Sequence, residues 1–559
     1  MFENYSFIDL SIIITYFAVI LWISRKVYKG KNNLGVSKVD YFLGGKSQGW
    51  LFVGASLFAS NIGSEIILGV SGAGASGNMP LANFEILASL ILILFGWVFV
   101  PFYIKSGVYT MPEFLEKRYS LACRNYLSVV SIIAYVITKI SLIIFAGALV
   151  FETMGIPFWT GAVFTVLITG FYTVLGGLKA VIYTDMIQAF ILLMGSILVT
   201  FFGLYHIGGW NELILILDKA SSIEGNPEVG DYFNLWRPIN DNDYPWTGML
   251  FGAPILGVWY WCTDQYIVQR ALSAKNSIIA RKGALFAGYL KILPVFIFFL
   301  PGVIAFALMQ KGIINFSLDN ADQALPAMIS NFLPVGVKGI AIAGLLAALM
   351  SSLSSAFNSS STLLTIDFYQ KFRPQATDSQ LVSFGRISTL FLVLISMGWI
   401  PFMKTLMTGG IFHYLQSIQA YISPPIASVF LFGLLYNWIN SKGAIICLWT
   451  GFIIGIFRLV LEFLSKEGTI IVTKETLLFE FLQINFLHFA LFLFVLCSII
   501  LIVFSKLTSK QITKNIEGLT IGTRERVSDS QKFNDIFFSI ILVIVVLLLW
   551  LVFSPLGMG

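Results

Sequence analysis

Apolar runs about 20 residues long recur from one end of this chain to the other, and nothing else limits its fold as much. They lie near 7–24, 50–74, 80–104, 126–152, 157–176, 180–205, 247–269, 283–309, 335–367, 384–404, 411–436, 442–463, 479–505 and 536–554, fourteen in all. About 20 apolar residues in a helix cross a bilayer core of about 30 Å. Backbone in hydrocarbon must satisfy its own hydrogen bonds, so each run is expected as a helix. Of the 559 residues, 57% are hydrophobic and 11% charged, against about 25% charged in soluble domains. The expectation is an all-α polytopic protein of the cell membrane, with about 14 transmembrane helices. No small-residue cleavage site follows a short apolar stretch, so Ile8 to Ile23 reads as a retained helix.

Basic residues set the orientation. Lys26, Lys29 and Lys46 lie in the first loop, Lys117 and Arg118 in the third, and Arg281, Lys371 and Lys506 in later loops of the same parity. The longest opposite loop, 206–246, is acidic. With fourteen spans every basic loop falls on the cytoplasmic side, and both termini lie outside. The formal net charge of +6 is then membrane anchoring, and nucleic acid is not expected as a partner.

Within the run 335–367 stand Ser351, Ser352, Ser354 and Ser355. Hydrocarbon offers hydroxyls nothing, so they face a partner inside the protein. A small hard cation prefers such oxygens; back-bonding to helix carbonyls is the plain alternative. Two other runs are interrupted by Gly and polar residues: Gly54 to Glu65, with Asn61, Gly63 and Ser64, and Gly252 to Gln265, with Pro254, Gly257 and Asp264. They are the second and seventh runs, five apart, and so cross in opposite directions. That spacing predicts two five-helix inverted repeats, each opening with a broken helix whose unwound carbonyls lie near the midplane. The chain divides accordingly: 1–49, an extra helix and a basic cytoplasmic loop; 50–205, repeat one; 206–246, an extracellular loop; 247–436, repeat two; 437–559, additional helices.

Ionisable groups at membrane depth are Glu65, Glu85, Lys139, Asp185 and Lys291. A mid-bilayer charge costs about 2.5–3.5 kcal/mol on insertion scales, so these face a wet cavity or one another. Asp185 is a cation ligand, a proton site or half of a salt bridge. Lys291 and Glu85 bind a polar solute or neutralise each other. Tyr260 and Trp261, beside the second break, stack on a solute or pack in the core.

Several segments resemble the sodium/glucose cotransporter branch of the sodium/solute symporter family. They are Trp259-Tyr260-Trp261-Cys262-Thr263-Asp264-Gln265, Ser56-Leu57-Phe58-Ala59-Ser60-Asn61-Ile62-Gly63-Ser64, Gly177 to Asp185, Met350 to Ser359, and Tyr414-Leu415-Gln416-Ser417 ahead of Pro424 and Pro425. The resemblance implies a LeuT-like 5+5 inverted repeat and sodium-driven import of a sugar or polyol such as glucose, galactose or myo-inositol by alternating access. It implies a principal sodium site from carbonyls of Ala59, Ile62 and Ala348 with hydroxyls of Ser351 and Ser352. A second sodium site would use Asp185, Ser351, Ser354 and Ser355, giving two sodium ions per solute. Solute contacts carry over to Asn61, Glu85, Lys291 and Gln416, with Tyr260 as inner gate and Trp261 beside it. Relatives commonly place Gln or His where this chain has Ile66, Asn or Thr where it has Gly257, and often Ser where it has Ala88. The cavity is expected to be less polar and, at Gly257, roomier.

Other classes remain as alternatives: a sugar-gated sodium-conducting sensor, or a sodium symporter for a non-sugar solute. No metal triad or Ser–His–Asp arrangement argues for an enzyme, and the expected ligands are sodium as coupling ion, the solute and the bilayer, without an organic cofactor. Asn4-Tyr5-Ser6 and Asn315-Phe316-Ser317 match the glycosylation pattern by spacing alone.

Overall fold

The computed structural model describes residues 6–29, 37–406, 410–466, 469, 476–508, 516–523 and 532–559. Regular structure among these is helical, with two isolated β-bridges, Gln48 to Ala274 and Arg237 to Pro245. Asn4 and Tyr5 of the first glycosylation pattern lie outside the described residues.

Among the described residues, eleven helices are long and apolar enough to cross a bilayer, and a twelfth if one bent pair counts as a single span. The sequence leads to fourteen. The difference lies in two runs. Run 157–176 yields a shorter apolar helix, Phe158–Val174. Run 247–269 is helical from Gly248 to Thr263, breaks at Asp264 and resumes over Gln265–Leu272.

The elements that matter for function are α1 (Phe7–Lys29), α2 (Trp50–Asn61), α3 (Ser64–Ala75), α4 (Asn83–Leu94), α5 (Phe158–Ile207), α6 (Gln265–Leu272), α7 (Ser277–Leu290), α8 (Val337–Thr362) and α9 (Ile411–Leu435). Helix α8 is the axis of the molecule. From Ala341 to Thr362 every one of its residues is buried, so an all-round apolar or small surface is what its position demands. It packs most extensively along α5, and α1 lies against both. Helix α2 packs against α7 and α5.

Both predicted breaks are present. Helices α2 and α3 meet at 62° across Ile62 and Gly63. Gly63 is extended (φ −88°, ψ 170°), and the Glu65 carboxylate folds back against it, so a Cβ there would lie 2.0 Å from that carboxylate and would have to displace it. At the second break Asp264 is extended (φ −77°, ψ 129°) and its carboxylate caps α6 by accepting from Tyr266 N at 3.2 Å. A third interruption splits α5 at Gly177, whose φ of +59° favours glycine; there a Cβ would meet Tyr41 at 2.6 Å.

Candidate functional site

The first break exposes the last carbonyls of α2. Gly63 N turns back to Asn61 O at 3.0 Å, away from the i−4 partner, Ala59 O, that a continuing helix would use. The Ser351 hydroxyl takes that carbonyl at 2.8 Å and also lies 2.9 Å from Ala348 O. The Ser352 hydroxyl donates to Ser60 O at 2.9 Å. Tyr266, in α6 just after the second break, places its hydroxyl against the carbonyls of Ser60 and Ser352. Ala59, Ala348, Ser351 and Ser352 are thus gathered into one buried cluster, with Ile62 at the corner beside it. A serine that donates its proton to a carbonyl keeps lone pairs for a cation.

Asp185 has no exposed surface. Its Oδ2 accepts from Ser56 at 2.6 Å and from Ser60 at 3.4 Å. The Ser60 and Ser355 hydroxyls are 2.8 Å apart. Oδ1 of Asp185 has no hydrogen-bond partner among the described residues, so an anionic oxygen is left open within a group of hydroxyls, which suits a small cation. Ser354 donates to Ser351 O at 2.9 Å, the back-bonding alternative, while Ser351 is engaged by Ala59 and Ala348. Asp185 and Ser355 therefore come together through Ser60, and the hydroxyls of Ser351 and Ser354 are turned to helix carbonyls.

A third group of polar residues lies on the other side of Asn61. A cavity of about 50 Å³ is lined by Asn61, Glu85, Tyr260, Trp261 and Gln416, with Ile66, Ala88, Gly257, Lys139 and Gln419. Asn61 donates from Nδ2 to the Tyr260 hydroxyl at 3.0 Å and accepts from Lys291 Nζ at 2.5 Å. Lys291 also pairs with Glu85. Both side chains are buried, which suits an ion pair that a neutral amide completes. Lys291 does not itself line the cavity; it stands behind Glu85 and Asn61. The expected room at Gly257 is partly taken up: a Cβ there would meet Ile91 at 3.1 Å. The expected loss of polarity fits, since Ile66 and Ala88 both face the cavity.

Sequence reasoning placed Lys139 at membrane depth without assigning it to the site. Its ammonium lies 4.1 Å from the centre of the Tyr260 ring and 5.0 Å from that of Tyr266. Its depth was the available signal. Ser56, Ser60 and Arg270 were also missed as a cluster. Their serines sit one helical turn apart on α2, a pattern as informative as that of Ser351 and Ser355.

The profile of the sodium:solute symporter family matches residues 41–451. A curated relative, sodium/glucose cotransporter 4 of Danio rerio, is 37% identical over 94% of this chain and 83% of its own length. Sodium/glucose cotransporter 1 of Oryctolagus cuniculus is 38% identical over 89% of this chain and 79% of its own. Among solved structures, the substrate-bound outward-open state of a sodium-coupled sialic acid symporter is similar at a TM-score of 0.76 and 20% identity, covering 91% of this chain and 99% of the other. At that identity the likeness concerns the fold.

Proposed function

We propose a sodium-coupled sugar symporter, from the premise that this chain belongs to the sodium:solute symporter family. It is a multi-pass membrane protein, and its activity is sodium-coupled sugar transport by alternating access between the two sides of the bilayer. The observation that carries this reading is adjacency. Asn61, which bonds Tyr260 and Lys291, is two residues from Ala59, whose carbonyl joins the Ser351 hydroxyl. A cation that settles the carbonyls of α2 also settles the amide that a sugar would bind. Sugar hydroxyls donate and accept, so an amide, a carboxylate and an ammonium suit them.

In this reading Asn61, Glu85 and Gln416 contact the solute, Lys291 reaches it once the cavity opens past Glu85 and Asn61, Tyr260 closes it from the cytoplasm and Trp261 supports that ring. Sodium site one is Ala59, Ile62, Ala348, Ser351 and Ser352; site two is Asp185 with Ser351, Ser354 and Ser355. The carboxylate oxygen left open on Asp185 supports the second site. Fourteen spans, outer termini, and repeats at 50–205 and 247–436 belong to the same proposal, supported by breaks in the second and seventh runs. Two inward charges gain about 4.6 kcal/mol per 100 mV, and two tenfold sodium gradients add about 2.8 kcal/mol. Their sum supports a solute gradient on the order of 10⁵.

The test is reconstitution in liposomes with labelled glucose, galactose and myo-inositol, sodium or potassium being outside. Accumulation above equilibrium that requires sodium, and that Gln416→Ala weakens about tenfold through one lost hydrogen-bond partner, is expected. Equal uptake in both salts would refute sodium coupling.

A further inference from the structure

Around Asp185 a second buried atom stands without a partner, and it carries the opposite charge. Arg270, on α6, has no exposed surface, and its Nη2 has no hydrogen-bond partner among the described residues. Its Nε donates to the Ser60 hydroxyl at 3.1 Å, and its Nη1 to Tyr266 O at 2.6 Å and to the Ser359 hydroxyl at 3.3 Å. A buried guanidinium is usually held by a carboxylate fork. Here the Ser60 hydroxyl stands between Arg270 and Asp185, touching both. The guanidinium and the carboxylate are one hydroxyl apart and form no direct ion pair among the described residues.

We propose that Arg270 is a tethered cation that competes with sodium at Asp185 and helps to expel it. The proposal rests on the reading of Asp185 as a sodium ligand. In the part of the cycle when site two is empty, a carboxylate at this depth needs a compensating charge, and the guanidinium supplies it across Ser60. Sodium arriving at Asp185 draws on the lone pairs of Ser60 and repels Arg270. Because α6 begins at the second break, at Asp264, the displaced arginine has a short jointed helix to move with. When the helix returns, the guanidinium weakens the hold on sodium. Ser60 is on the first broken helix and Arg270 on the second, so the exchange links the two parts of the fold that are interrupted.

The test compares Arg270→Gln, Arg270→Lys, Asp185→Asn and the double variant Asp185→Asn/Arg270→Gln in liposomes, reading sodium dependence of labelled-sugar uptake and charge moved per sugar. Removing the competing charge in Arg270→Gln is expected to lower half-saturating sodium about tenfold and to slow turnover, because release is hindered. Arg270→Lys retains the charge and shows no such fall. Asp185→Asn leaves the arginine uncompensated, and the double variant recovers uptake relative to it. Half-saturating sodium that rises or stays put in Arg270→Gln, or a double variant no better than Asp185→Asn, would overturn the competition. Should Arg270→Gln fail to fold, the other three still decide. A charge ratio that Asp185→Asn leaves at two overturns the sodium-ligand reading itself, whatever Arg270 does.

Discussion

The two candidate cation clusters share helices α2 and α8 and are built on opposite principles. The cluster at Ala59, Ala348, Ser351 and Ser352 contains no charged group; its oxygens come from carbonyls freed by a break and from neutral hydroxyls. The cluster at Asp185 contains a carboxylate, and a guanidinium accompanies it one hydroxyl away. A neutral cradle is tolerated at depth in every state of the transporter, and its cost is a broken helix. A charged one attracts sodium more strongly but leaves a buried anion whenever sodium departs. The comparison teaches that the first site depends on backbone shape and the second on charge balance, and substitutions can separate the two.

The largest effect is expected from Gly63→Ala. A methyl there would meet the Glu65 carboxylate at 2.0 Å, so that buried side chain must leave the corner between α2 and α3, beside the carbonyl cradle. Sodium-dependent uptake is expected to fall sharply, and persistence of full uptake would show that the neutral site does not depend on how Glu65 packs at the break. Ser352→Ala is next. It removes one ligand and the donor to Ser60 O, and losing such a partner is worth about 1–3 kcal/mol, so half-saturating sodium in uptake is expected to rise between about fivefold and a hundredfold. Asp185→Asn tests the charged site alone. Currents recorded at known sugar gradients are expected to give one charge per sugar in place of two, with sodium dependence retained through the neutral site. The smallest effect is expected from Gly257→Ala, whose methyl presses on the flexible Ile91 side chain at 3.1 Å. A change of a few-fold in half-saturating sugar at fixed sodium is expected, since crowding of this kind costs about 1 kcal/mol. A change in half-saturating sodium instead would mean that the chamber and the cradle are not separable.

Much of this architecture was legible in the sequence because the bilayer makes few demands and makes them strictly. Apolar runs marked the helices, and the two runs carrying Gly, Asn and Asp were the two that break, at Ile62–Gly63 and at Asp264. Where a helix is short of a full crossing, as in Phe158–Val174, or where a run breaks, as at Asp264, the long unbroken helices are fewer than the apolar runs. The polar cavity was legible through polar residues at depth: Asn61, Glu85, Tyr260, Trp261 and Gln416 line it. What sequence did not reveal is which polar residues face each other. Ser60 joins Asp185 to Ser355 and Arg270, and no pattern along the chain brings together four residues from four helices. The same holds for Lys291, which reaches the chamber through Glu85 and Asn61. Nor did sequence reveal that the room at Gly257 is shared with Ile91 from another helix.

The central claim is that two sodium ions, one at each cluster, drive each sugar. The most direct measurement is the reversal potential of sugar-dependent current in liposomes at several fixed sodium and sugar gradients. A ratio of two charges per sugar, falling to one in Asp185→Asn, is the predicted result. A ratio of one in the unaltered protein would contradict the account.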